Sequence, residues 1–114
     1  MDDIVIIGAG GLARELAFLI EQINKVSSSY NILGYADSET QNIGKKIGNY
    51  EICFEERELL NMKVNVAIGI GNPTIIKSVA EKLSKNPDLI FPNIIHPNIV
   101  WDRERIKIGK GNII

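Results

Sequence analysis

Near the amino terminus an apolar run, "DIVII" at residues 3–7, stops at three glycines within four positions and passes at once into a helical pattern. The stretch "IVIIGAGGLARELAFLIEQI" leaves the chain few options. A segment that is β-branched and apolar at every position after Asp3 suits a central parallel strand covered on both faces. From Leu12 the apolar residues fall at 12, 16, 19, 20 and 23, which predicts an amphipathic helix. Arg14, Glu15, Glu21 and Lys25 take its other side, Glu21 and Lys25 at the spacing of an i,i+4 pair. A strand, a glycine turn and a helix in that order are the opening of a βαβ unit.

The rhythm continues. "ILGYAD" (32–37) reads as a second strand ending in an aspartate, and the polar, glycine-punctuated stretch after it as a loop with a short strand near 50–53. "FEERELLNM" reads as a short helix with an acidic first turn suited to the positive end of its dipole. "VNVAIG" (64–69) is a third strand. "PTIIKSVAEKLSK" is a second long helix, with Pro73 at its first position and Ile76, Val79, Ala80 and Leu83 as its stripe. "LIFPNII" (89–95) supplies a fourth strand. Strands alternating with helices predict an α/β domain, a small open parallel sheet in the order 2-1-3-4 with helices on both faces. In that order a crevice opens between the first and third strands, outside their carboxyl ends, where ligands of such sheets sit. The turns "GAGG" and "GIGN" flank it.

Bulk properties exclude several function classes. The 114 residues suit one small domain, and 13 basic residues against 14 acidic ones leave a net charge of −1 without a long run of like charge. Nucleic acid and membrane surfaces are therefore not expected partners. The apolar start is too short for a signal peptide, and a cytoplasmic location is expected. Cys53 is the only cysteine, so no internal disulfide or CxxC pair exists, and no metal is expected.

Glycine lets a ligand press against the backbone, and the helix that follows offers unpaired N–H groups and partial positive charge, a combination suited to phosphate or pyrophosphate. Gly8, Gly10 and Ala13 also satisfy the dinucleotide pattern G-x-G-x-x-[GA], and Asp37 stands where an acidic residue would take ribose hydroxyls. Taken literally this is an NAD(P)-binding module of a dehydrogenase. Plainer readings stand beside it: Asp37 as a turn or cap residue, Gly69 and Gly71 as loop formers, Asn72 as a helix N-cap, and Arg14 and Glu15 as a solvated first turn. No second mononucleotide half follows. The single histidine, His96, has no nucleophile arranged around it, and Trp101 reads as a packing or interface aromatic. No residue of the chain is assigned as acid, base or nucleophile.

The last stretch, "IVWDRERIKIGKGNII", abandons the βαβ rhythm. Val100 and Ile106, and Ile108 and Ile114, are spaced six apart, with Gly109 directly after Ile108. A six-residue period with [IV]-G steps is the mark of a hexapeptide β-helix. Residues 98–114 are therefore expected to begin a left-handed β-helix after a domain at 1–97.

With "IVIIGAGGLARE", "GYAD", "VAIGIGNPTIIKSVAEKL" and "FPNIIHPNIVWDRERIKIGKG" in place, the chain resembles the N-terminal domain of the sialic acid O-acetyltransferase family of sugar acyltransferases. Relatives of that family include a bacterial N-acetyltransferase acting on a UDP-linked 4-amino sugar. The resemblance implies a Rossmann-like domain that holds a nucleotide sugar, a β-helix that binds acetyl-CoA, and a homotrimer with its active site between subunits. Residue by residue, it implies that Gly8, Gly10, Gly11 and Leu12 line the first turn. Asp37 with Ser38 would meet the uridine end, and Gly69, Gly71 and Asn72 would form the opposite wall. Leu12 stands where the family often carries histidine, and Ile76–Lys77 where it often carries arginine. The family's catalytic histidine lies inside the β-helix and has no counterpart here, His96 belonging to the domain junction. A non-catalytic assembly domain is the third reading, beside the acetyltransferase and the dehydrogenase.

Overall fold

The computed structural model describes residues 2–8, 10–92 and 94. β1 (Asp2–Ile7) leads through α1 (Gly11–Val26) to β2 (Tyr30–Asp37). β3 (Lys46–Ile47) and β4 (Tyr50–Glu55) form a hairpin, a 3₁₀ turn spans Glu56–Asn61, and β5 (Asn65–Ile68) precedes α2 (Pro73–Leu83). The five strands make one sheet in the order β3-β4-β2-β1-β5, parallel except for the β3–β4 pair.

β1 is covered on both faces, as its unbroken apolar run predicts. Ile4 and Ile6 pack with Tyr35, Ile52 and Ala67 beneath Ala13, Leu16, Ala17 and Ile20 of α1. Val5 and Ile7 face the other way, with Ala36 and Val66, against Leu59 of the 3₁₀ turn and Val79 and Leu83 of α2. Successive strand side chains point to opposite faces, so four consecutive buried residues serve two cores. Helices therefore cover both faces, as expected.

The expected neighbours, second–first–third, are found as β2-β1-β5. Three expectations need correction. The expected fourth strand at 89–95 is, among the described residues, reduced to single bridge residues, Ile90 bridging Asn65 in parallel and Ile94 buried against the core beside Ile4 and Ile6. The bonds at Ile90 are Val66 N–H to Ile90 O at 2.8 Å and Ile90 N–H to Val64 O at 3.1 Å. Pro92 has no N–H with which to extend a ladder. Instead the sheet grows at its other edge, where the stretch read mainly as loop supplies β3 and β4, with Ile52 as its core contact. The third correction concerns "FEERELLNM": Phe54 and Glu55 close β4, and the remainder winds as a 3₁₀ turn.

The apolar stripe of α1 is also turned by one position. Its buried residues are Ala13, Leu16, Ala17 and Ile20, whereas Leu12 is 47% exposed. The two alanines let the helix approach the sheet closely, and Leu19 and Ile23 cover the margin. Glu21 and Lys25 form no ion pair. The expected β-helix, His96 and Trp101 lie outside the described residues.

Asn86 ties the second core together. It is 9% exposed, and its Nδ2 donates to Leu59 O at 2.9 Å and Met62 O at 2.8 Å, capping the carbonyl end of the 3₁₀ turn. Its Oδ1 accepts from Asp88 N–H at 3.0 Å. Asn86→Ala strands Met62 O, while Leu59 O keeps the Met62 N–H at 3.2 Å, and is expected to lower the unfolding free energy by about 1–3 kcal/mol. Urea denaturation followed by circular dichroism measures it.

Candidate functional site at the carboxyl edge of the sheet

The chain runs from β1 outward to β2 and the hairpin, then returns to β5 on the opposite side of β1. The topological switch therefore lies between β1 and β5, and both glycine turns leave the sheet there. They touch. Gly69 N–H donates to Ile7 O at 2.7 Å, and Gly8 N–H donates to Ala36 O at 2.9 Å, drawing the ends of three strands together.

The glycines divide into two kinds. Gly8 has a φ of +118°, and a Cβ there would stand 2.7 Å from Gly69 O. A Cβ on Gly69 would stand 2.7 Å from the Cα of Ala13. Both are glycine because the two turns and the first turn of α1 are pressed together. Gly10 and Gly11 are different. Neither has a positive φ, and a Cβ on either would have nothing within 4 Å. Nothing inside the described chain requires glycine at those two positions, and they face open space.

α1 begins there. Gly10 is its N-cap, no side chain caps it, and its first turn holds no acidic residue. The early N–H groups of that helix are left without a side-chain acceptor. α2 contrasts with it: Asn72 Oδ1 accepts from Thr74 N–H at 2.9 Å and Ile75 N–H at 3.3 Å, and Pro73 takes the first position. Asn72 is thus an N-cap, the plainer of its two readings. Gly71 is exposed, and a Cβ there would lie 3.8 Å from Leu12 Cδ2, so the two turns also approach each other at their outer ends.

Asp37 sits at the end of β2, one residue past the Ala36 carbonyl that holds Gly8. Its carboxylate accepts from Ser38 N–H at 2.8 Å and from the Asn42 side-chain amide, organising the turn that follows. The turn role read for Asp37 is therefore real. Ser38 opens a cleft of ≈ 260 Å³ lined also by Thr40, Glu55, Glu56, Arg57 and Lys82. Its last five residues went unnoticed in the sequence. "EER" signals them only as charge, and pairing of β4 beside β2 is what carries Glu55 to the end of Asp37's strand.

This cleft balances its charges. Glu55 accepts from the Thr40 hydroxyl at 2.6 Å and pairs with Arg57. Glu56, 8% exposed, lies 3.5 Å from Lys82 Nζ. The Thr40 hydrogen bond, helped by Arg57, holds the Glu55 carboxyl below the usual glutamate range despite opposing desolvation. Arg14 is drawn away from the glycine turns, its side chain beside Gly48 of the β3–β4 hairpin.

A family model, the PglD N-terminal domain, matches residues 3–83. The chain belongs to that family. Among solved structures its fold is similar to the acetyltransferase domain of PglB from Neisseria gonorrhoeae FA1090 in complex with acetyl coenzyme A. There the TM-score is 0.68 at 18% identity, over 85% of this chain and 45% of that one. A second structure of that PglB domain gives 0.65 at 18%, over 86% and 46%. RSP, a Rex-family repressor, gives 0.54 at 22%, over 75% and 41%. The chain thus spans less than half the length of these proteins, and at such identities the likeness is one of fold. No curated protein matches the chain in sequence. For this PglD N-terminal family member, no group of three or more metal-ligating side chains occurs among the described residues. No helix among them is long and apolar enough to cross a membrane.

Two outcomes follow from the geometry. Gly8→Ala and Gly69→Ala are expected to cost about 2–4 kcal/mol of stability, from backbone clash and strain. Gly10→Ala and Gly11→Ala should change it by less than about 1 kcal/mol, since neither Cβ would meet another atom and alanine's poorer capping at position 10 is a small cost. Chemical denaturation of the four variants separates the pairs. For Glu55 the folded-state pKa is depressed, so its contribution to stability is complete above the unfolded value of about 4.3 and disappears as pH falls through the lower folded value. Thr40→Val should flatten the stability profile in that acid window, and carbon-detected NMR titration of the Glu55 carboxyl should show its midpoint move up.

Proposed function

We propose that this chain is the nucleotide-sugar-binding domain of an acetyl-CoA-dependent sugar acetyltransferase acting on a sialic acid or a UDP-linked amino sugar. The observation that carries the reading is the pair Gly10–Gly11, glycine without an internal cause, at a helix start without a side-chain cap. Backbone N–H groups and the helix dipole there suit the diphosphate of an activated sugar, and a side chain at either position would stand in its way. Gly8, Gly10, Gly11 and Leu12 would line one side and Gly69, Gly71 and Asn72 the other. The Asp37–Ser38 end would meet the nucleoside.

Membership of the PglD N-terminal family supports this assignment, as does the fold shared with an acetyltransferase domain that binds acetyl coenzyme A. In this reading residues 1–97 are the sugar-binding domain, and residues 98–114 open a left-handed β-helix that holds acetyl-CoA, assembles as a homotrimer and supplies the histidine base. A base there would take a proton from the sugar amine or hydroxyl as the acetyl group is transferred. The role of the described residues is to bind and orient.

Calorimetric titration of the chain with UDP-N-acetylglucosamine, UDP and NADH tests the proposal. UDP-sugar and UDP are expected to bind, and Gly10→Val or Gly11→Val to abolish binding while the fold is kept. Binding of NADH without UDP-sugar would instead support the dinucleotide module that G-x-G-x-x-A suggests. Silence with all three would leave an assembly domain.

A further inference from the structure

A second cleft of ≈ 180 Å³ lies between α1 and the β3–β4 hairpin and shares no wall residue with the glycine turns. One wall is a single helical stripe, Arg14, Ala17, Phe18 and Glu21, at i, i+3, i+4 and i+7. The hairpin supplies Gly48, Asn49 and Tyr50 opposite, and Tyr35 of β2 completes the lining. Ala17 and Gly48 leave the space that larger side chains would fill.

Tyr35 is only 1% exposed, and its hydroxyl is buried with no hydrogen-bond partner among the described residues. Its ring meets that of Tyr50 edge-to-face, centroids 6.4 Å apart at 75°. Burial raises its pKa first, then Tyr50 and Glu21 raise it while Arg14 opposes them. Tyr35 lines the cleft together with those three residues, and its hydroxyl lies buried at that wall. A buried hydroxyl without a partner costs stability, and phenylalanine would fill the same core volume without that cost. Among the described residues the hydroxyl has no partner.

From these observations we infer that the cleft binds a small zwitterion of the amino-acid class. Its carboxylate is held by Arg14, its ammonium by Glu21, and one of its polar atoms by the Tyr35 hydroxyl. Neither Arg14 nor Glu21 is in an ion pair among the described residues. Their Cα atoms are two turns, about 10 Å, apart along α1, and both residues line the same cleft of ≈ 180 Å³, one charge toward each end. A simple anion would meet Glu21 and a simple cation Arg14; a group carrying both signs satisfies each with a charge-assisted bond. The cleft is smaller than the roughly 300 Å³ at which drug-sized sites begin, which suits a small metabolite. Phe18, 63% exposed, and Tyr50 offer apolar cover for its carbon skeleton. The inference does not rest on the sugar-binding reading.

The test is titration of the isotopically labelled chain with each of the common L-amino acids, followed by ¹H–¹⁵N NMR. Acetate, methylammonium and glycerol serve as controls that carry one feature each. At least one amino acid is expected to shift the α1 stripe and residues 48–50 saturably. Arg14→Gln, Glu21→Gln and Tyr35→Phe should each weaken it about tenfold or more. Tyr35→Phe should also keep or raise the melting temperature, so its lost binding is not unfolding. The inference is overturned if no amino acid saturates, if acetate, methylammonium or glycerol binds equally well, or if Arg14→Gln and Glu21→Gln leave binding unchanged. Failure of UDP-sugar binding leaves these outcomes untouched.

Discussion

Where β1 and β5 end, backbone meets backbone with no side chain between, and much else in the domain follows from that contact. Gly69 donates its N–H to Ile7 O at 2.7 Å, and Ala13 of α1 rests against the same glycine. Any side chain on Gly8 or Gly69 would wedge the strands or lift the helix. Because the contact is so close, α1 meets the glycine turn through Ala13, with Leu16, Ala17 and Ile20 buried behind it. Leu12 is left outward, and the helix start at Gly10–Gly11 faces open space.

That seating separates two demands that one short sequence makes together. The glycines next to the strand ends, Gly8 and Gly69, satisfy packing, while Gly10 and Gly11 satisfy nothing within the described chain. The distinction underlies the proposal of a nucleotide-sugar site, since no described residue needs those positions bare. The two helix starts make the same point by contrast. α2 closes its own N-terminus with Asn72, and α1 leaves its N-terminus uncapped at the place where an anion would bind.

The β3–β4 hairpin is the feature that sequence periodicity conveyed least. Its strands are short, and within β4 only Ile52 and Glu55 are buried. A strand with so few core positions resembles a polar loop in any window of residues. Yet the hairpin builds both clefts: β4 delivers Glu55 beside Ser38 on one face, and its turn closes over Arg14 and Tyr35 on the other. The fourth strand erred in the opposite direction. "LIFPNII" has the apolar composition of a strand, but Pro92 interrupts the donors that a ladder needs and leaves single bridge residues at Ile90 and Ile94.

By itself the sequence determined the alternation of strand and helix, the central place of "DIVII" and the meeting of two glycine turns beside β1. These are local matters, since hydrophobic period, proline and glycine positions and parallel crossovers act within one unit or between neighbours. The family was legible too, because "GAGGLARE" and the [IV]-G step near the end are contiguous motifs. Only the tertiary structure decided which glycines are packed and which are bare, that Asp37 is occupied by Ser38 and Asn42, and that Arg14 turns to the hairpin. Each of those depends on atoms distant in the chain coming within a few ångströms, a relation that no residue pattern along the chain encodes.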